Sequence, residues 1–136
     1  MSQNNKINIT NLGGTSGQLS MSDGMEVELM PPKLSSPSDQ LSPKHMIGMA
    51  WSTCLNATII HMFKSEKIEN KSRVRVEVIQ KTSKDYGLHY VVSAFVAIEC
   101  YNENETLRVA NTADRLCPIS KLIINNPHVS LKYEEY

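Results

Sequence analysis

The residues most able to carry chemistry are two cysteines 63 positions apart, Cys54 and Cys117. Cys54 lies inside an apolar segment with helical character, next to the polar side chains of Ser52 and Thr53. Cys117 precedes Pro118, which interrupts a second predicted helix, and backbone N–H groups exposed at such an interruption lower the pKa of a thiol. These settings favour a reactive pair, whereas free cysteines in general serve more often as small buried hydrophobic residues. At this point both interpretations are open.

The remaining cysteine and the histidines give weaker evidence for a catalytic or metal-binding role. Cys100 falls on the apolar face of a predicted strand, and we expect a buried structural thiol there. The odd number of cysteines and the lack of a CxxC pair exclude a disulfide scaffold and a four-cysteine zinc site. His89 and His128 have no partner at ligand spacing, so we predict no metal site and no cofactor. A cysteine hydrolase is a weaker alternative, because His61 lies about 10 Å from Cys54 along the same helix.

Composition indicates a cytoplasmic protein with one domain. The chain has 136 residues, 40% of them hydrophobic, and its 14 Lys+Arg balance 14 Asp+Glu. We therefore expect a single domain over residues 1–136, with residues 1–5 disordered. Zero net charge argues against binding to nucleic acid or to an anionic membrane. The N-terminus lacks a signal-peptide pattern, and the most apolar segment, residues 46–63, carries too many polar side chains for a membrane span.

The predicted element order is βββ-α-ββ-α-β, an α+β chain. A glycine-rich turn and an Asp-Gly turn join three short runs into an antiparallel meander; the runs are Lys6–Leu12, Gln18–Ser22 and Met25–Met30. Further along, alternating residues predict one strand through Val74–Val78 and a second over Leu88–Cys100. Asn102 and Glu105 form a capping box at the start of the second predicted helix, and Pro118 interrupts that helix. The last predicted strand is His128–Tyr133.

The first helix carries Cys54. Ser42-Pro43 is an N-cap followed by proline at the first helical position, and the helix is expected to end at Lys64 or Glu66. Its middle is apolar or small on every side, which predicts a central helix covered all round. In a chain this short, such a helix often needs a second subunit to cover it, so we expect a dimer.

Three segments together resemble the signature of the OsmC/Ohr family: SPKHM at residues 42–46, AWSTC at 50–54 and CPIS at 117–120. The resemblance spans nearly the whole chain in element order. It implies antiparallel sheets around a long buried central helix, in an intertwined homodimer with its active sites at the interface. It also implies a cysteine-based organic hydroperoxide reductase. The alternative is a module on the same scaffold that binds a small apolar ligand or senses redox state.

By this resemblance, Cys54 is the peroxidatic residue and Cys117 the resolving one. A Cys54 thiolate would attack ROOH and release an alcohol, and the resulting sulfenic acid would condense with Cys117 to a disulfide. A dithiol of lipoyl type would then reopen that disulfide. This role predicts a lowered pKa for the Cys54 thiol.

The family's activating Arg–Glu pair is not evident. Lys44 stands at the position of the Glu, and the turn Gly14–Gly17 holds no arginine. We expect Lys44 or Lys33 to supply the positive charge instead, although both could simply be solvated. An apolar pocket beside Cys54 would favour alkyl hydroperoxides. The candidates for its lining, which could equally be core residues, are Met46, Met49, Trp51 and Phe63.

Overall fold

The computed structural model describes residues 6–29 and 41–136. The chain divides into two compact units between Pro43 and Lys44, and each is described separately. The predictions for residues 1–5 and for Lys33 lie outside the described residues.

The first unit is an antiparallel meander of β1 (Ile9–Leu12), β2 (Gln18–Met21) and β3 (Glu26–Glu28). The β1–β2 connection contains one 3₁₀ turn and ends at Gly17, where an added Cβ would collide with the Leu12 carbonyl oxygen. The glycine-rich segment is therefore needed for the turn itself. The predicted meander is confirmed.

The second unit contains the elements that position the cysteines: α1 (Pro43–Ser65), β4 (Ser72–Ser83), β5 (Gly87–Ile98), α2 (Glu103–Leu116), α3 (Pro118–Ile123) and β6 (Val129–Tyr133). β4 and β5 form a long antiparallel hairpin, while β6 pairs with β5 in parallel. The expectation of purely antiparallel sheets is wrong for this sheet. Because α2 and α3 carry the chain back between β5 and β6, the last strand enters in the same direction as β5.

The core of this unit forms along one stripe of α1. Trp51, Leu55, Ile59 and Phe63 recur every fourth residue and are buried against apolar side chains of β5 and α2: Val92, Ala94, Val96, Ile98, Ala110 and Ala113. Other faces of α1 are open in the single chain, where Met49 is 49% and Ile60 is 53% exposed. Within the part of the chain that the structure describes, these faces of the helix therefore remain uncovered.

Local hydrogen bonds fix the ends of α2, the helix that leads to Cys117. The Asn102 side chain accepts from the Glu105 N–H at 2.9 Å, and the Glu105 side chain accepts from the Asn102 N–H at 3.0 Å. The predicted capping box is confirmed. At the other end the Cys117 N–H donates to the Ala113 carbonyl at 2.8 Å, and α3 begins directly afterwards at Pro118. Cys117 thus occupies the joint between two helices.

A side-chain contact ties α1 to the sheet two residues beyond Cys54. The Ser72 hydroxyl, at the first residue of β4, donates to the Asn56 amide oxygen at 2.7 Å. The same amide group donates to the Ser72 carbonyl at 3.4 Å. This pair fixes the middle of α1 against the start of β4.

By length and composition alone, α1 could cross a membrane, with a mean hydropathy of 1.2 over an 18-residue stretch. The core helix of a soluble protein passes the same test. Four of its apolar side chains form the buried stripe described above, and 22% of that stretch is buried within the described residues.

Candidate active site

The fold brings Cys54 and Cys117 into direct contact. Cys54 is partly exposed on α1, Cys117 is 0% exposed at the α2–α3 joint, and both are free thiols. Each thiol shifts the pKa of the other, and the backbone N–H of Ile119 acts on the pKa of both. The two thiols are therefore close neighbours, and neighbouring thiols are candidates for a disulfide.

The pKa of the Cys54 thiol is raised. Burial is the largest cause, the Ile119 N–H opposes it, and the hydrogen bond and charge of Cys117 raise it further. Among the described residues, no lysine or arginine contributes to this shift. The expectation of a lowered Cys54 pKa is therefore wrong for the single chain, because a neighbouring sulfur and apolar surroundings replace the expected cation.

The pKa of the Cys117 thiol is lowered. Burial alone would raise it, but hydrogen bonds from the Ser120 side chain and backbone, from the Cys54 thiol and from the Ile119 N–H outweigh burial. The two pKa values are shifted in opposite directions, so the buried cysteine is the more acidic thiol of the pair.

Cys100 differs from the sequence expectation of a buried thiol. It is exposed, because β5 ends at Ile98 and the chain turns at Cys100 with φ of 67°. The strand itself does not extend to this residue, although the apolar alternation of the sequence does.

Lys44 lies ten residues before Cys54 on α1, which corresponds to about 15 Å along the helix axis. A lysine side chain cannot span that distance, so the structure does not bring Lys44 to Cys54 of the same chain. Lys44 instead lines a cavity of about 450 Å³ between α1 and β4, together with Met49 and Ser52.

A larger, mainly apolar cavity of about 550 Å³ opens close to Cys54; we call it the Trp51 cavity. Ala50 lines it one helical turn before Cys54 and on the same face of α1. Ile119, whose N–H interacts with both sulfurs, lines it from α3. Its other lining residues are Ile47, Trp51, Tyr86, His89, Tyr90, Val92, Ile123, Asn126, Pro127, His128 and Val129.

The four residues proposed to line a substrate pocket fall in different places. Trp51 lines the Trp51 cavity, Met49 lines the cavity with Lys44, and Phe63 lines a third cavity of about 300 Å³ beside α2. Met46 is partly buried and lines none of these three. The structure does not gather the four side chains into one pocket.

An aromatic cluster at the Trp51 cavity was not foreseen from the sequence. The ring of His128 lies 4.5 Å from that of His89 and 4.4 Å from that of Tyr86, centroid to centroid. The His128 carbonyl accepts from the Val92 N–H at 2.8 Å where β6 joins β5. Because this pairing is parallel and long-range, spacing along the chain carries no signal for it. Within residues 6–29 and 41–136, no group of three or more His, Cys, Asp or Glu side chains could hold a metal ion.

Comparison with known families identifies this arrangement. The sequence profile of a family described as OsmC-like protein matches residues 36–132, a range that includes α1, both site cysteines and the mixed sheet. The chain belongs to the OsmC-like protein family. Within the family match, Cys54 and Cys117 are the two thiols that the fold brings together.

Solved structures similar to this OsmC-like chain have the same fold. An organic hydroperoxide resistance protein OsmC from Legionella pneumophila is 22% identical, with a TM-score of 0.78 and 98% of each chain covered. The organic hydroperoxide resistance protein OhrB of Bacillus subtilis is also 22% identical, with a TM-score of 0.78, covering 96% of this chain and 98% of its own. A third such protein, from Elizabethkingia anophelis, is 22% identical with a TM-score of 0.78; the match covers 99% of this chain and 98% of that protein's chain. No curated protein sequence matches significantly.

Proposed function

We propose that this OsmC-like protein is a thiol-dependent peroxidase that reduces organic hydroperoxides to alcohols. The observation that carries the proposal is the close placement of the Cys54 and Cys117 thiols, each of which shifts the pKa of the other. Structural relatives named as organic hydroperoxide resistance proteins support the same chemistry. Cys54 is the proposed peroxidatic residue because its thiol is partly exposed, whereas Cys117 is fully buried.

The first step needs a Cys54 thiolate, and the thiolate form of Cys117, whose pKa is lowered, is the proposed acceptor of the Cys54 proton. The Cys54 proton moves to Cys117, and the Cys54 sulfur attacks the distal oxygen of ROOH. The O–O bond breaks, and the leaving alkoxide takes the proton from Cys117 to become ROH. Cys54 is then a sulfenic acid, and Cys117 is again anionic.

The second step closes the disulfide. The Cys117 sulfur attacks the sulfur of the Cys54 sulfenic acid, the S–S bond forms, and the S–O bond breaks. The departing hydroxide takes a proton from solvent and leaves as water. A dithiol supplies the two electrons that reopen the disulfide, and we propose a lipoyl-type dithiol for this role.

The Trp51 cavity supports an organic substrate over hydrogen peroxide. Its wall is mostly apolar and reaches within one helical turn of Cys54. An alkyl or aryl tail buried there adds binding energy that hydrogen peroxide lacks.

We further propose a cytoplasmic homodimer in which the partner subunit completes the site. The exposed apolar side chains of α1, among them Met49 and Ile60, support a covering partner. A positive charge near Cys54 is proposed to come from Lys44 of that partner subunit or from Lys33. Molar mass by light scattering tests the dimer, and a monomer at micromolar concentration would contradict it.

A second candidate function is a binding or redox-sensing module with little turnover. The raised pKa of Cys54 favours it, because a neutral thiol reacts slowly with peroxide. In this case the Trp51 cavity holds a small apolar ligand. The two candidates differ in whether peroxide consumption is catalytic.

The deciding experiment measures consumption of cumene hydroperoxide and hydrogen peroxide with dihydrolipoamide as reductant. The peroxidase proposal expects rapid loss of the organic peroxide that disappears in Cys54→Ser. The Cys100→Ser variant is the matched control, since it removes an exposed thiol outside the site. Absence of turnover in folded protein would leave the binding module as the better description.

A further inference from the structure

A buried hydrogen bond joins the helix of Cys54 to the helix that follows Cys117. The indole Nε1 of Trp51 donates to Ser120 Oγ at 2.8 Å, across 69 positions of the chain. Trp51 lies three residues before Cys54 on α1, and Ser120 lies three residues after Cys117 on α3. Trp51 and Ser120 are only 1% and 2% exposed, so water does not compete for the bond. The two helices are therefore joined within one turn of each cysteine.

The same serine also holds the Cys117 sulfur. The Ser120 backbone N–H donates to Cys117 Sγ at 3.5 Å, the bond by which Cys117 caps the N-terminus of α3. Ser120 thus contacts Cys117 through its main chain and α1 through its side chain. A Ser120→Ala substitution keeps the backbone bond to the sulfur and removes the bond to Trp51. The link between the helices is therefore testable with the cap on Cys117 retained.

The link matters because a disulfide tolerates little displacement of its two cysteines. Their Cα atoms must lie within about 7 Å of each other, with side chains that point together. A hydrogen bond weakens steeply as its distance and angle depart from the optimum, so it restricts how one helix slides or rotates on another. An indole N–H can only donate, and an arrangement that separates Trp51 from Ser120 leaves this donor buried and unpaired.

We propose that Trp51 and Ser120 are positioning residues whose side-chain hydrogen bond holds α1 and α3 in the arrangement that lets Cys54 and Cys117 form a disulfide. Disulfide formation is a step of the proposed peroxidase cycle, and to that extent the inference rests on the proposed function. The positioning itself is measured without any peroxide.

The experiment equilibrates the Cys100→Ser protein, in which Cys54 and Cys117 are the remaining thiols, with mixtures of reduced and oxidised glutathione. Oxidised glutathione accepts two electrons and two protons from the thiol pair, which leaves the protein disulfide and two molecules of reduced glutathione. Mass spectrometry after acid quenching gives the oxidised fraction, and hence the effective concentration of one thiol at the other. Ser120→Ala should lower this effective concentration by about tenfold, the scale of one buried hydrogen bond.

Trp51→Phe removes the indole N–H but keeps an aromatic ring, and it should lower the effective concentration by a similar factor. The double variant with Ser120→Ala should lose no more than either single variant, because the same bond is absent from all three. Ser93→Ala is the matched control: the Ser93 and Ser130 hydroxyls hydrogen-bond at 2.9 Å between β5 and β6, strands that carry neither cysteine. This control should lower the free energy of unfolding and leave the effective concentration unchanged.

A parental effective concentration in folded Ser120→Ala or in folded Trp51→Phe would overturn the proposal. An equal loss in Ser93→Ala, or the absence of the disulfide from the Cys100→Ser protein itself, would also overturn it. If Ser120→Ala does not fold, Trp51→Phe decides the result. A protein that loses the disulfide in these variants but consumes no hydroperoxide would support the positioning role and reject the peroxidase, so the two failures are distinguishable.

Discussion

Cys54 and Cys117 lie close enough for each thiol to shift the pKa of the other, and the pKa of Cys54 is raised while that of Cys117 is lowered. Each sulfur is therefore part of the other's environment, and the pair titrates as a unit. A change at one cysteine should be measurable as a change in the reactivity of the other.

Cys117→Ala should make Cys54 more acidic, although it removes the resolving thiol. The hydrogen bond and charge of Cys117 both raise the Cys54 pKa, and the substitution removes both. In a Cys100→Ser background, alkylation of Cys54 by iodoacetamide should become faster at neutral pH. Cys117→Ser keeps a hydroxyl without the charge and should give a smaller increase. Slower alkylation in Cys117→Ala would contradict the hydrogen-bonded pair.

One equivalent of cumene hydroperoxide should convert Cys54 and Cys117 to a disulfide and leave Cys100 as a thiol. The two site sulfurs are in contact, whereas Cys100 is exposed in the turn after β5. Intact mass spectrometry should show the loss of two hydrogens, and peptide mapping should identify the linked pair. A disulfide that includes Cys100 would reject the assigned roles.

Ala50→Leu should reduce activity toward cumene hydroperoxide while sparing hydrogen peroxide. Ala50 lines the Trp51 cavity one turn before Cys54, so a larger side chain there takes space from the organic tail. A fall in kcat/KM of about tenfold is the scale of a few lost methylene contacts. Met49→Leu is the matched control, because Met49 lines the other cavity on α1. Equal losses toward both peroxides would indicate general damage to the site.

Glu134→Gln should lower stability at neutral pH but not in acid. Glu134 accepts hydrogen bonds from Arg75 Nε at 2.9 Å and from Arg73 at 3.4 Å, and these hold its pKa below the ordinary value. The pKa of this carboxyl is lower in the folded protein than in the unfolded chain, where it is about 4.3. The ionised carboxylate therefore stabilises the fold at pH values above about 4.3, and this contribution is lost as the pH falls through the folded-state pKa.

Urea unfolding across a pH series measures this effect. The difference between wild type and Glu134→Gln should shrink as the pH falls below about 4.3. Glu77→Gln, whose carboxylate lies 3.8 Å from Arg75, is the matched control for loss of a carboxylate beside this arginine. A constant difference at all pH values would exclude the ionised carboxylate as its cause.

Asn102→Ala should destabilise the protein by about 1 kcal/mol, since it removes the side chain that caps α2. Asn102→Asp keeps an acceptor for the Glu105 N–H and should retain most of the stability. Urea unfolding of the three proteins checks both expectations. Similar stabilities for wild type and Asn102→Ala would mean that packing alone holds the helix end.

The features predicted correctly from sequence are those set by local hydrogen bonding. Pro43 begins α1, and Asn102 with Glu105 begins α2, because each start depends on residues within a few positions. Likewise, the alternation around Val74 and Val76 indicates β4 directly. The motifs at Cys54 and Cys117 identified the family, and the fold then brought the two thiols together.

The features that could not be predicted from the sequence depend on contacts between residues far apart in the chain. The parallel entry of β6 beside β5, which brings His128 to His89, follows from a crossover that the strand pattern does not encode. Cys100 continues the apolar alternation in sequence but lies past the end of the strand. The raised pKa of Cys54 arises from atoms around the sulfur, which spacing along the chain does not specify.

In the proposed peroxidase cycle, the unequal burial of the two cysteines would give the reduction of their disulfide a direction. Cys54 is partly exposed and Cys117 is completely enclosed, so an incoming dithiol can approach only the Cys54 sulfur. Cys117 is then the leaving group, and the thiol of lower pKa leaves faster. In that proposed cycle the transient mixed disulfide would carry the reductant on α1, and the electrons would enter the protein through the same sulfur that had lost them to the peroxide.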